Sequence, residues 1–138
     1  HLDEAQQMVE EAERRNLKLL VAFGPRWQPP SVQAKATIDA DRIGRAVFCA
    51  SRQVNPIRVP TPRLSWSSRT TLAHWLLTHS VDCVRWFMGT EAKRVTTYIT
   101  QGVLKGMGID TGMGIDTPDI YHAVVEFEGG ELATFDAV

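Results

Sequence analysis

The stretch from Thr70 to Gly89, TTLAHWLLTHSVDCVRWFMG, limits what this chain can fold into more than any other part of it. Leu72, Ala73, Trp75, Leu76, Leu77, Val81, Cys83, Val84, Trp86 and Phe87 put apolar side chains on nearly every side of a helix. A helix with that pattern is expected to be buried all round rather than laid on a surface. Thr70 or Thr71 can cap its start, and Gly89 can end it. At about 20 residues it has the length of a membrane span. His74, His79, Asp82 and Arg85 lie inside it, however, and charged groups are costly in hydrocarbon. The reading is a soluble core helix, with no membrane association expected.

The rest of the chain must supply the layers that cover such a helix. Its 138 residues suit one moderate core, and 43% hydrophobic with 22% charged residues is an ordinary globular balance. A net charge of -1 gives no basic footprint, so no nucleic-acid partner is expected. The two cysteines, Cys49 and Cys83, form no Cys-x-x-Cys pair and no disulfide framework. A reducing compartment, and so a cytoplasmic location, is the expectation.

Leu2 to Asn16 reads as a surface helix with Ala5, Met8, Val9 and Ala12 as its apolar stripe. Asp3 with Gln6 offers a capping box, and Asn16 a stop. Leu19 to Phe23 follows as a continuous apolar run, the pattern of a strand covered on both faces in a parallel sheet. A helix feeding such a strand is half of a βαβ unit, which leads us to expect a chain cut from something longer. In GPRWQPP, Gly24 to Pro30, the prolines force an extended turn, and Arg26 stands at the carboxyl end of the expected strand. Ligands bind at that edge in open α/β sheets. Stacking on Trp27 at a domain corner is the equal alternative for Arg26.

A second helix is expected over Ser31 to Ile43, with Gly44 at its end, and a strand over Arg45 to Arg52. Gln53 to Arg69 carries three prolines and reads as a long loop anchored by Trp66. Lys93 to Thr100 alternates as a two-faced strand. GMGIDT occurs twice in succession, at Gly106–Thr111 and Gly112–Thr117, and reads as a duplicated loop. It lacks a phosphate-loop pattern, and cation binding by Asp110 and Asp116 is disfavoured. Tyr121 to Val138 forms two alternating runs around Gly129-Gly130, a hairpin signal. The fold class expected is α+β: the last helix and strand of a Rossmann-like unit, then a mainly antiparallel open sheet packed on helices.

This collinear series resembles the Gfo/Idh/MocA family of NAD(P)-dependent oxidoreductases. The resemblance rests on LDEAQQMVEEAERRNLKLLVAF, on Arg26-Trp27-Gln28-Pro29, on Asp41-Arg42-Ile43-Gly44, on Thr78-His79-Ser80-Val81-Asp82 running into Arg85-Trp86-Phe87-Met88-Gly89, and on FEGGELATF. It implies residues 1–24 as the end of a truncated dinucleotide-binding domain and 25–138 as an incomplete substrate and oligomerisation domain. NAD or NADP would bind through the missing N-terminal domain. His79 matches the family's catalytic histidine, Asp82 an acidic position near substrate in some members, and Arg26 a strand-end arginine near the nicotinamide.

One position departs from the family. Polyol-oxidising members usually carry an Asp four residues before that histidine, and Trp75 stands there. His74 lies roughly 140° around an α-helix from His79, too far to replace it. Asp82, three residues after His79 on the same face, can orient its ring. A neutral imidazole suits removal of a hydroxyl proton, while a core histidine with satisfied nitrogens is the alternative for His79. Zinc held by His74, His79 and Asp82 has the wrong angular spread, so no metal is expected. The functional expectation is the substrate-binding part of an oxidoreductase acting on a sugar, polyol or related hydroxy compound. Two others stand beside it: a non-catalytic module that forms homo-oligomers through the open sheet face, and a carbohydrate-binding domain using Trp66.

Overall fold

The computed structural model describes residues 2–54, 70–101, 103–108 and 117–138. Most of the loop after Gln53, Trp66 within it, Asp110, Asp116 and most of the GMGIDT repeat lie outside the described residues.

The sheet grows from its hairpin. β3, Ile120–Phe127, and β4, Leu132–Ala137, pair antiparallel. Tyr121, Ala123, Val125 and Phe127 alternate inward on β3, and Ala133, Phe135 and Ala137 do so on β4. Gly130 makes the reversal at φ 85°, a conformation that costs a side-chain-bearing residue strain, and its N–H donates to Phe127 O at 3.0 Å. β2, Ala92–Thr100, adds antiparallel to β3, with a bulge between Ala92 and Arg94. β1, Phe48–Gln53, adds parallel to the other side of β4. The order is β1-β4-β3-β2, a mixed open sheet carrying helices, as expected.

The long apolar helix lies across one face of this sheet. It comprises a π turn, Ala73–Leu77, and an α-helical part, α3, Thr78–Met88. Thr71 caps it, its Oγ1 accepting from the His74 N–H at 3.3 Å. Gly89 ends it at φ 66°, donating to Arg85 O at 2.9 Å. Leu72, Leu76, Ser80 and Val84, four residues apart, are the positions turned into the interior. Val84 joins Phe127, Phe135 and their neighbours in one core cluster, and Leu72 and Leu76 meet Tyr121 and Ala137 in another. Ser80 pins the helix to the parallel edge, accepting from Ser51 Oγ at 2.8 Å and Gln53 Nε2 at 3.2 Å.

The helix is not buried all round. His79 is exposed and Val81 is 40% exposed, because a single sheet covers a single side. A larger correction concerns Leu19 to Phe23, which forms no strand. Leu20 and Val21 are largely exposed, since no described strand lies beside them to take up their backbone hydrogen bonds.

The N-terminal helices do form. α1, Leu2–Arg14, has no buried residue, and Asp3 falls in its first turn rather than at a cap. It closes with Asn16 at φ 53°, Asn16 N bonding Glu13 O and Leu17 N bonding Ala12 O, a Schellman ending. A short 3-10 turn, Gly24–Trp27, replaces the extended turn expected there. α2, Pro29–Asp39, closes in the same way on Asp41, φ 53°, so it ends earlier than Gly44. Prolines at its first positions are tolerated because those N–H groups lack intrahelical partners.

Candidate functional site

Two of the three residues singled out from the sequence meet. Arg26, on the 3-10 turn, donates from Nε and Nη2 to the two oxygens of Asp82, each at 2.6 Å. Asp82 is buried and Arg26 about one-third exposed. The guanidinium edge serves the carboxylate while its plane lies over the Phe23 ring at 5.8 Å and the Trp86 ring at 5.5 Å. This geometry is planar bidentate pairing with stacking, which lysine cannot reproduce. The carboxylate raises Arg26 further above its ordinary pKa, so the arginine stays charged. The stacking partners are Phe23 and Trp86; the Trp27 indole instead donates to Ala22 O at 2.6 Å.

His79, Asp82, Cys83 and Trp86 occupy positions i, i+3, i+4 and i+7, one stripe of the helix. Arg26 reaches both Asp82 and Trp86, so this stripe faces the N-terminal segment. His79 stands exposed at the stripe's N-terminal end. Both of the Asp82 oxygens are taken by Arg26, and among the described residues no hydrogen bond joins Asp82 to His79. Burial raises the Cys83 and Cys49 thiols above their ordinary values, which keeps both protonated near neutral pH.

The start of the central helix is a π turn, Ala73–Leu77, which includes His74. Its i→i+5 hydrogen bonding adds a residue to one turn, so 100° per residue no longer holds across Ala73–Leu77. His74 shares an open groove of about 410 Å³ with Phe23, Thr78, Val81, Asp82 and Arg85, and His79 is not among the residues that line it. Its Nδ1 hydrogen-bonds to Thr71 Oγ1 at 2.8 Å. Arg85, at the far end, is held by Glu91 through 2.6–2.9 Å bonds. The apolar run of the sequence carried no sign of the π turn.

Residues 31–138 match the family model of the GFO/IDH/MocA C-terminal domain. The chain belongs to the GFO/IDH/MocA family. The same fold recurs in solved structures of dehydrogenases. The myo-inositol 2-dehydrogenase of Lactobacillus plantarum superposes with a TM-score of 0.81 at 18% identity, over 99% of this chain and 40% of that one. The scyllo-inositol dehydrogenase of Lactobacillus casei, solved with NAD(H) and scyllo-inositol, gives 0.72 at 20% identity, over 98% and 38%. A probable dehydrogenase from Thermotoga maritima gives 0.77 at 22% identity, over 99% and 39%. This GFO/IDH/MocA chain therefore spans about two-fifths of the length of these structures. No curated protein matches it by sequence at a significant level.

The described residues do not fit a whole nicotinamide dinucleotide. A pyrophosphate needs backbone N–H groups at a helix N-terminus. α2 opens on Pro29 and Pro30, which have none, and α1 carries Asp3 and Glu4 in its first turn. Thr71 occupies the start of the central helix with its own side chain. Among the described residues no group of three or more His, Cys, Asp or Glu can hold a metal, and no helix is long and apolar enough to cross a membrane.

Proposed function

We propose that this chain is the substrate-side part of an NAD(P)-dependent oxidoreductase acting on a sugar, polyol or related hydroxy compound. Residues 1–24 belong in this reading to the edge of the cofactor domain, and 25–138 to the substrate and oligomerisation domain. The observation that carries it is the exposed His79 at the end of a stripe whose next turn is fixed by the Arg26–Asp82 pair. The exposed apolar run Leu17–Val21 agrees, as a segment lacking the sheet that would flank it in a cofactor domain.

His79 is the general base that takes the proton of the substrate hydroxyl. The nicotinamide, bound to the other domain, supplies the hydride chemistry. Asp82 acts through Arg26, as a positioning residue: the pair locks the 3-10 turn, and with it the cofactor-facing edge, against the helix that carries His79. Arg26 then borders the nicotinamide rather than gripping phosphate. Trp75, half-buried where polyol-oxidising relatives place an acid, shifts the substrate toward hydroxy compounds that need no second carboxylate. A cytoplasmic location accompanies this reading through the two free, protonated cysteines.

The test is NMR titration of the four histidine rings with myo-inositol, scyllo-inositol and glucose. Saturable shifts at His79, absent in His79→Ala, are expected at millimolar ligand. Rings that stay unmoved up to the solubility limit would sink the substrate-side assignment.

A second reading is favoured by the sheet. Its outer face, turned away from the central helix, is uncovered, with Tyr98 at 67% and Phe48 at 58% exposure. In this reading the chain self-associates through that face.

A further inference from the structure

Ser80 fixes how the central helix lies along β1. Its hydroxyl takes hydrogen bonds from Ser51 at 2.8 Å and from Gln53 at 3.2 Å. Two serine side chains can meet only where their backbones lie close, and Cα atoms of α3 and β1 do come within 8 Å of each other. The strand register gives the direction of the helix. Gln53 stands beside Ala137, which packs with Leu72 and Leu76, and Cys49 stands beside Ala133, which packs with Val84. The helix therefore runs from the Gln53 end of β1 towards its Cys49 end.

On β1 the next inward-facing residue after Ser51 in that direction is Cys49, about 6.6 Å along the strand. On the helix, Cys83 follows Ser80 as i+3 on the same stripe, about 4.5 Å along the axis. Cys49 and Cys83 thus occupy the facing pair next to the two serines. Cys49 packs against the cluster that holds Val84, the residue after Cys83. A negative charge on Cys49 raises the Cys83 thiol, a second sign that the two are close. Both thiols are free and half-buried, and the chain has no other cysteine.

We propose that Cys49 and Cys83 form a redox-modification site, joined by a reversible disulfide when the chain meets a hydroperoxide. One thiolate of the pair attacks the peroxide and breaks its O–O bond, giving a sulfenic acid and releasing an alcohol. The second thiol attacks that sulfur, forming the S–S bond and releasing water. The two thiols together lose two electrons and two protons, and the hydroperoxide is reduced by the same amount. A small dithiol reverses the step by exchange.

Burial keeps both thiols protonated, so the pair stays reduced at low oxidant and answers to a high oxidant load. The charged groups beside Cys83 are Asp82 and Arg26, already paired with each other. The bond closes on the helical turn that follows His79 and holds Asp82, and it fixes that turn to the edge strand of the sheet. The inference stands apart from the substrate reading, because it rests on the contact of helix and strand alone.

The test exposes the full chain to excess tert-butyl hydroperoxide, blocks the remaining thiols by alkylation and maps the peptides by mass spectrometry. Both thiols are expected to disappear together, with a peptide linking Cys49 to Cys83. The oxidised chain is expected to run as a single chain on a non-reducing gel, and dithiothreitol to return both thiols. The link is expected to form at least about tenfold faster than in urea, because the fold supplies the proximity. Thiols that stay open to alkylation while the methionines oxidise would overturn the proposal. So would chains joined in pairs, or a link that forms as fast in urea as in the folded chain.

Discussion

Tyr121–Phe127 and Leu19–Phe23 are both apolar stretches that sequence reasoning assigns to strands, yet they end in opposite states. The first has β2 and β4 on either side and buries Tyr121, Ala123, Val125 and Phe127. The second has no described strand beside it, and its Leu19, Leu20 and Val21 side chains face solvent. The contrast extends to the two parts of the molecule: residues 2–45 have no buried residue, whereas the sheet and central helix hold the whole described core. A strand is a relation between segments, and hydrophobicity supplies only one party to it.

Three measurements break or sharpen that contrast. Phe135, 2% exposed at the centre of the core, should cost about 3–5 kcal/mol when cut to alanine. Leu20→Ala, at a position 77% exposed, should stay within about 0.5 kcal/mol. Urea unfolding of the two variants reads the difference directly; equal losses would mean that the N-terminal segment packs in solution.

The next effect concerns the link between the parts. Asp82→Ala leaves a partly exposed arginine without its carboxylate, at about 1–3 kcal/mol. Hydrogen exchange should quicken first around Gly24–Trp27, before the sheet. Unchanged exchange there would show that stacking on Phe23 and Trp86, rather than the ion pair, holds the turn.

The smallest effect is a pH dependence confined to the sheet. The His122 ring beside it, and Arg52 less strongly, hold Asp136 below the usual carboxylate range. A depressed folded-state pKa gives stability that is present above the unfolded carboxylate value and lost as pH falls through the lowered one. The pair is partly exposed, so screening keeps the gain small. Thermal melts in mild acid should show His122→Ala losing less stability on acidification than wild type. Parallel acid limbs would remove Asp136 from the account.

Much of the sheet was legible because its cues are local. The alternation in Tyr121–Phe127, the Gly129-Gly130 turn and the Thr71 and Gly89 caps each act within a few residues. Asn16 closes the first helix as its sequence suggests, whereas the second ends early because Asp41 adopts the left-handed conformation before Gly44 is reached. Arg26 and Asp82 were legible individually, but their bond joins residues 56 apart and needs the fold. His74 lies in the π turn, Ala73–Leu77, which the apolar run does not announce.

That turn separates two jobs along one helix. Below Leu77 the α-helical register keeps Ser80 and Val84 seated on the sheet. Within the turn, His74 lines the groove while Leu76 stays in the core. A single-residue insertion or deletion within Ala73–Leu77 would therefore re-aim the groove wall only by also shifting Leu72 or Leu76 in the core. The length of this turn is thereby held fixed by packing, and the groove can change only by exchange of the side chains that line it.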